Sequence, residues 1–192
     1  AISRAKDMLI EPEEYIKINN TDVRLSKIGR AYQRYQEMLK KADAMDFDDM
    51  IVNTVKMLKE SPEALEFYRR RFKYIMVDEY QDTNHAQYVL ISTLAAGRNN
   101  ICVVGDDDQS IYRFRGASIE NILNFEKQYK GSRTIRLEQN YRSTQSILNA
   151  ANAVIAHNLG RKGKRLWTAN GQGDPITVYE ASDEGTEANF VA

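Results

Sequence analysis

The sequence has few features that would tie it to a membrane or to an oxidising compartment. Cys102 is the only cysteine in 192 residues, which excludes a disulfide framework, and its apolar neighbours predict an ordinary core position. No apolar run reaches the roughly 18 residues that a membrane-spanning helix needs. The N-terminus lacks the pattern of a signal peptide and does not begin with Met, so we expect the chain to be a piece of a longer protein.

The charges balance overall but not along the chain. The formal net charge is zero, yet residues 133–167 carry seven basic side chains against a single acid, Glu138. Such a local excess of positive charge could meet phosphates. For the part between Arg161 and Arg165, an ordinary solvated face explains the charges equally well.

The first 70 residues show helical periodicity. Apolar side chains recur at helical spacing over residues 28–39 and again over residues 47–58. Asp46 or Asp48 is placed to cap the second of these helices. Ser61 and Pro62 form the N-cap and first-turn proline pattern that predicts a further helix.

The pattern then changes to short apolar runs separated by helical stretches. Such runs predict strands buried on both faces, as in a parallel sheet, and their alternation with helices predicts an α/β layered core. The predicted strands are YIMV (74–77), ICVV (101–104) and TIRL (134–137), and ITVYE (176–180) predicts a strand that opens a new unit. The predicted helices cover residues 86–94, 119–129 and 143–156.

Polar clusters follow the first three predicted strands. They are DEYQD, GDDDQ and EQNYRS. Because ligands of open parallel sheets bind beyond the carboxyl ends of the strands, three clusters at one edge predict a binding site. Acids, an amide and an arginine in such a place suit phosphoanhydride hydrolysis. The alternative, a two-metal nuclease using Asp78, Glu79, Asp106 and Asp108, explains the acids but not the accompanying Gln, Tyr and Arg.

Three motifs carry a resemblance to a known family. VDEYQDT (77–83), GDDDQSIYRFRGA (105–117) and LEQNYRS (137–143) resemble motifs II, III and IV of the UvrD-like superfamily 1 DNA helicases, within the PcrA/UvrD/Rep group. DFDDMI (46–51) resembles a segment that those proteins carry ahead of motif II. The similarity covers nearly the whole chain, and the combined motifs are long enough to be very specific.

The resemblance implies roles around ATP and Mg²⁺. Asp78 would contribute to Mg²⁺ binding and Glu79 would be the catalytic base. Gln109 would contact the γ-phosphate and couple it to DNA. Tyr141 would pack on the adenine, and Arg142 would reach the γ-phosphate.

The resemblance also implies that Tyr112, Phe114 and Arg115 face single-stranded DNA, where aromatic stacking accepts any base. Many relatives have Trp where this chain has Phe114, and Phe can still stack with less area. The alternative for the two rings is core packing. Their spacing of two would place both on one face of an extended segment, which favours a surface platform, and Gly116 would permit a tight turn there.

One family element is missing from these residues. No G-x-x-x-x-G-K-[ST] phosphate cradle occurs, and the nearest stretch, GRKGKR (160–165), has the wrong spacing and no Ser or Thr after Lys. We therefore expect a central fragment with an incomplete P-loop NTPase (RecA-like) parallel-sheet core. Residues 1–70 would be a helical inserted subdomain, 71–158 the later part of the first motor domain, and 159–192 a linker and the start of the second.

The resemblance predicts a parent protein that is an ATP-dependent DNA helicase translocating 3′ to 5′ in repair or replication. Its partners would be single-stranded DNA and single/double-strand junctions, with no membrane, in the cytoplasm of a bacterium and associated with the nucleoid. The fragment alone would be inactive and could self-associate through an exposed sheet edge. The alternatives are the helicase subunit of a recombination helicase–nuclease and a non-catalytic single-stranded nucleic-acid-binding module.

Overall fold

The computed structural model describes all 192 residues. The chain forms two compact units, Ala1–Ser132 and Arg133–Ala192, and each is described by itself. The first unit holds all the strands and most of the helices. No helix in either unit combines the length and the apolar character needed to cross a membrane.

The first unit begins with five helices and continues with a small parallel sheet and shorter helices. In chain order these are α1 (Ile2–Asp7), α2 (Pro12–Ile18), α3 (Val23–Lys41), α4 (Phe47–Glu60), α5 (Pro62–Arg71), β1 (Ile75–Val77), α6 (His85–Ala95), β2 (Ile101–Val103), α7 (Glu120–Leu123) and α8 (Phe125–Gln128). The second unit contains α9 (Gln145–Ile155) and α10 (Glu184–Val191). Three 3₁₀ turns lie at Tyr80–Asp82, Asp107–Gln109 and Tyr112–Arg115.

The predicted helix starts are confirmed where a capping side chain defines them. Asp46 caps α4 by accepting a hydrogen bond from the backbone N–H of Asp49, and the Asp49 carboxylate accepts one from the Asp46 N–H. Ser61 caps α5, with Pro62 in its first turn. Each cap satisfies backbone donors that would otherwise have no partner, which fixes the first residue of the helix.

The most buried side chains of the helical region lie on α1, α3 and α4, and α4 packs against both α1 and α6. Tyr32, Val55 and Leu58 are almost completely buried there. Lys6 is buried as well, and its ammonium lies 2.7 Å from carboxylate oxygens of both Asp46 and Asp49. A charge in such a place needs partners, and the start of α4 supplies both.

The parallel sheet is confirmed, but it has two strands. β1 and β2 pair in parallel with Met76 opposite Cys102, and α6 forms the crossover. The prediction of strands buried on both faces is wrong, because Met76 is 78% exposed and Cys102 is also exposed. Successive side chains of a strand point to opposite faces. Ile75 and Val77 are partly buried, whereas the face that carries Met76 and Cys102 is open.

Two predicted strands in the second unit are not formed. Residues 134–137 and 176–180 have no strand structure, and the one backbone bridge of this unit joins Gln139 to Trp167. A strand persists only with a partner for its N–H and C=O groups. Ile135 and Leu137 remain largely exposed, so the apolar run finds neither a pairing strand nor a covered face.

The remaining helix predictions are confirmed with altered boundaries. The predicted crossover helix is α6, and the helix predicted over residues 143–156 is α9. The helix predicted over residues 119–129 is interrupted at Asn124, which ends α7 and begins α8. α6 begins at a capping box formed by Asn84 and Gln87.

Candidate functional site

The end of β1 carries the first polar cluster on a strained turn. Asp78 is exposed, and its Oδ1 accepts a hydrogen bond from the Glu79 N–H at 2.9 Å. Glu79 itself has a φ of 49°, in the left-handed region that non-glycine residues rarely occupy. Such a conformation costs on the order of 1 kcal/mol and persists only when its surroundings enforce it.

Tyr80 holds this turn in place. Its side chain has no exposed surface, and its ring meets Phe125 edge-on with the centroids 5.9 Å apart. Burial raises the pKa of the Tyr80 hydroxyl to about 12. Its backbone N–H donates to the Val104 carbonyl at 2.9 Å, so the turn after β1 is fastened to the end of β2.

The end of β2 carries the second cluster, in which Asp106 organises its neighbours. Oδ1 of Asp106 accepts from the Asp108 N–H at 3.0 Å, and Oδ2 accepts from Nε2 of Gln109 at 2.7 Å. The Gln109 amide is therefore anchored by a carboxylate of its own loop.

Gln81, for which the sequence predicts no role, joins the two clusters. Its side chain is 1% exposed. Nε2 donates to Oε2 of Glu79 at 2.8 Å, and Oε1 accepts from the Asp106 N–H at 2.9 Å. The only indication in the sequence was its place inside DEYQD, because a polar residue after a strand has no local pattern that predicts burial.

Some predicted residues of the two clusters, but not Asp78, line one cleft. Glu79, Gln109 and Tyr112 all line a cleft of about 500 Å³, together with Gln81, Asp82, Asp108 and Ile111. The carboxylate predicted to act as a base, the amide predicted to contact phosphate and one predicted DNA-binding ring are thus neighbours in the first unit.

The two rings predicted to stack on DNA are on the surface, but the prediction of an extended segment is wrong, because Tyr112–Arg115 form a 3₁₀ turn. Phe114 is 76% exposed and Tyr112 is 38% exposed, and their centroids are 5.9 Å apart. The core-packing alternative is therefore wrong for Phe114. Cζ of Arg115 lies 5.1 Å and 5.5 Å from the centroids of the two rings, within the range of cation–π attraction.

The aromatic segment ends at Gly116, which adopts the predicted tight turn. Its φ is 85°, and a Cβ atom there would lie 2.9 Å from Oδ2 of Asp7. Asp7 also accepts a hydrogen bond from Nδ2 of Asn84 at 2.6 Å. Burial, and secondarily the carboxylate of Asp48, raise the pKa of the Asp7 carboxyl. Phe114 and Arg115 line a second cleft of about 480 Å³ with this part of the helical region.

The third cluster belongs to the second unit. Tyr141 is 78% exposed, and its hydroxyl donates to Oε1 of Gln139 at 3.0 Å. The side chain of Asn140 shapes the turn, because its Oδ1 accepts from the N–H groups of Arg142 and Ser143 at 2.9 Å and 2.8 Å. Arg142 is exposed and forms no ion pair with Glu138.

The grouping of the carboxylates limits the kinds of metal site that this chain can form. No three Asp, Glu, His or Cys side chains converge to hold a metal ion. This counts against a two-metal nuclease, which would need Asp78, Glu79, Asp106 and Asp108 to converge. A single exposed carboxylate such as Asp78 fits Mg²⁺, because that ion is commonly held by one or two carboxylates together with water and substrate phosphates.

Comparison with known families matches both parts of the chain. Residues 1–130 match the model of the UvrD/REP helicase N-terminal domain, and residues 135–192 match that of the UvrD-like helicase C-terminal domain. The chain belongs to the UvrD/REP helicase family. The change from one UvrD-like domain to the other falls beside the division between the two compact units at Ser132 and Arg133.

Several curated UvrD-like proteins are similar over the whole chain. The ATP-dependent DNA helicase PcrA of Staphylococcus epidermidis is 53% identical over 191 residues, which is 100% of this chain and 26% of that protein. The ATP-dependent DNA helicase UvrD1 of Mycobacterium tuberculosis is 51% identical over 201 residues, also 100% of this chain and 26% of that protein. The PcrA helicase of Leuconostoc citreum is 50% identical over 190 residues, which is 99% of this chain and 25% of that protein. The chain therefore spans about a quarter of the length of these relatives.

Proposed function

We propose that this chain is part of an ATP-dependent DNA helicase that translocates 3′ to 5′ on single-stranded DNA and unwinds duplexes in repair or replication. The observation that carries the proposal is the cleft shared by Glu79, Gln109 and Tyr112. In this cleft, side chains that could act on a phosphate lie next to an aromatic ring that could stack on a DNA base. The names of the relatives, all ATP-dependent DNA helicases, support the same assignment.

On the nucleotide side, Glu79 would hold and deprotonate the water that attacks the γ-phosphate. Gln109 would contact that phosphate, Tyr141 would pack on the adenine, and Arg142 would place its guanidinium on the phosphate oxygens. Asp78 would hold Mg²⁺. The ion, when bound, neutralises charge on the phosphates.

On the DNA side, Tyr112, Phe114 and Arg115 would bind a single strand near a single/double-strand junction. Exposed rings provide stacking surfaces that tolerate any base, and the arginine adds positive charge near the backbone. This binding would take place on nucleoid DNA in the cytoplasm of a bacterium, as the bacterial origin of the relatives suggests.

The phosphate cradle is not among these residues, so the 192-residue chain alone would not hydrolyse ATP at a useful rate. In the proposed assignment, residues 1–70 are a helical subdomain inserted in a RecA-like motor domain. Residues 71–158 are the later part of that domain, and residues 159–192 lead into the second.

The deciding experiment uses the full-length protein in steady-state ATPase and strand-displacement assays. We expect hydrolysis that single-stranded DNA stimulates, and unwinding of substrates with 3′ but not 5′ single-stranded tails. Glu79→Gln should lower kcat by about 10²–10⁴-fold, the usual contribution of a general base. Wild-type protein that binds single strands without hydrolysing ATP would instead indicate a non-catalytic binding module.

The same ATPase assay on the 192-residue chain provides a second test. The chain should show no DNA-stimulated ATPase above background. Turnover by this chain that disappears in Glu79→Gln would mean that the site needs less of the phosphate cradle than we propose.

A further inference from the structure

Gln81 uses its whole side-chain amide inside the protein. A carboxamide offers two N–H donors and an oxygen acceptor. Nε2 donates to Oε2 of Glu79 at 2.8 Å and to Oδ2 of Asp82 at 3.3 Å, and Oε1 accepts from the Asp106 N–H at 2.9 Å. Because the side chain is 1% exposed, water does not compete for these bonds.

The loop of residues 105–110, which follows β2, packs closely against the Gln81 side chain. A Cβ atom on Gly105 would lie 2.6 Å from Oε1 of Gln81, so only a residue without a side chain allows the observed approach. Further along, the Ser110 hydroxyl donates to the Gln81 carbonyl at 3.3 Å. Residues 105–110 thus contact Gln81 at both ends of the loop that carries Gln109 and leads to Tyr112.

Glu79, in contrast, has little else to hold its side chain. The bond from Gln81 is the single hydrogen bond made to its carboxylate. The Glu79 backbone is also in the left-handed region, so the orientation of the carboxylate depends on the turn and on this one donor. A general base must lie within hydrogen-bonding reach of its proton, and a displacement of about 1 Å can cost about 10²-fold in rate.

We propose that Gln81 is the positioning residue that orients the Glu79 carboxylate and links it to the loop of residues 105–110. The inference rests on the proposed function, in which Glu79 is the base. A single strand seated on Tyr112 and Phe114 would shift the loop that precedes them. Because the Asp106 N–H and Gly105 contact the Gln81 amide, that shift would move the amide and, through it, the Glu79 carboxylate. The rate of ATP hydrolysis would then depend on whether DNA is bound.

The test measures ATPase kinetics of the full-length protein with and without saturating single-stranded DNA. Gln81→Met keeps the approximate size of the side chain but none of its hydrogen bonds. We expect kcat to fall by about 10²-fold with DNA present, with little change in KM for ATP, and the DNA-stimulated ratio to collapse. Gln81→Glu keeps the acceptor for the Asp106 N–H but loses the donor to Glu79, so it should not restore kcat.

Asn121→Leu is the matched control. Its Nδ2 donates to the carbonyl and to Oγ1 of Thr83, both at 3.0 Å, so the substitution also removes two bonds beside the 3₁₀ turn but leaves Glu79 untouched. It should lower the melting temperature and leave kcat and DNA stimulation close to wild type. Equal kcat losses in Asn121→Leu and Gln81→Met would overturn the inference, because loosening of the turn would then explain both.

Other outcomes separate the inference from the proposed function. Wild-type protein without DNA-stimulated ATPase contradicts the proposed function itself. Active wild type, an inactive Glu79→Gln variant and near-normal kcat in Gln81→Met contradict the inference alone. If Gln81→Met does not fold, Gln81→Asn replaces it. That variant keeps an amide but shortens it by one carbon, so we expect the same loss of kcat, and normal kcat would again overturn the inference.

Discussion

Nζ of Lys6 lies 2.7 Å from Oδ1 of Asp49, and the two side chains are 0% and 4% exposed. The same ammonium lies 2.7 Å from Oδ2 of Asp46, which also accepts from the Tyr35 hydroxyl at 2.9 Å. Burial by itself would lower the pKa of Lys6, but the hydrogen bonds to the two carboxylates outweigh it and raise the pKa above its ordinary value. The charged form is therefore the one that holds α1 against the start of α4.

Removing this ammonium should strongly destabilise the helical region. Lys6→Met leaves two carboxylates facing each other without a counter-charge, and breaking a buried ion pair in this way costs about 3–5 kcal/mol. The free energy of unfolding, measured by urea denaturation followed by circular dichroism, should fall by that amount.

Lys56→Met is the matched control for this prediction. Lys56 pairs with Glu11 at 3.2 Å, but both side chains are about half exposed, and exposed pairs contribute roughly 0–1 kcal/mol. Equal effects of the two substitutions would mean that the Lys6 cluster is no stronger than a surface pair.

The helix starts were predictable because their causes are local. Asp46 and Ser61 cap the helices that begin one residue later, and both bonding partners lie within the same short stretch of sequence. The parallel pair β1 and β2 was also predictable, because two apolar runs flanking a helical stretch have few other arrangements.

The strand and burial predictions that were wrong depend on partners that are distant in sequence. The run at residues 134–137 is apolar enough for a strand, but a strand forms only when another strand supplies hydrogen bonds. Cys102 lies in an apolar run, yet the face it shares with Met76 is open. The burial of Gln81 depends on Gly105 and Asp106, more than twenty residues further along the chain.

The open face of the sheet predicts self-association of the 192-residue chain. Met76 and Tyr74 are each 78% exposed, and both strands of a two-stranded sheet have a free edge that can pair with another chain. We expect the mass measured by light scattering to rise with concentration. Met76→Lys, which places a charge on that face, should reduce this rise.

Met45→Lys is the control for that experiment, because Met45 is 60% exposed but lies in the loop between α3 and α4. It should leave self-association unchanged. A wild-type chain that stays monomeric at every concentration tested would contradict the prediction.

Phe114→Ala should weaken single-strand binding by the full-length protein. The ring is 76% exposed, so its loss removes little packing, whereas the loss of one stacked base costs about 1–3 kcal/mol. Fluorescence anisotropy with a labelled oligothymidylate measures the change, and ATP affinity should barely move.

Phe67→Ala removes a ring that is 55% exposed on α5, outside the predicted DNA-binding segment, and should leave DNA affinity unchanged. A Phe114→Ala variant with normal DNA affinity and a much lower melting temperature would show that the ring stabilises the fold and does not bind bases.

Arg142 should act mainly on the transition state of hydrolysis. Its guanidinium is exposed and makes no ion pair with Glu138, so it is not committed to stabilising the start of α9. The γ-phosphate demands positive charge mainly as its bond to the leaving group breaks, so an arginine there stabilises the transition state more than bound ATP. In the full-length protein, Arg142→Ala should lower kcat by on the order of 10³-fold or more, with a smaller change in KM.

Two companion variants separate charge from geometry at this turn. Arg142→Lys should rescue poorly, because an ammonium on a flexible stem cannot reproduce the two parallel hydrogen bonds of a guanidinium. Tyr141→Ala should show the opposite balance and raise KM for ATP more than it lowers kcat, because the ring would only pack against the adenine of ATP. Steady-state ATPase with saturating single-stranded DNA measures all three. Near-normal kcat in Arg142→Ala would mean that the guanidinium does not contact the γ-phosphate. Another cation would then have to stabilise the transition state.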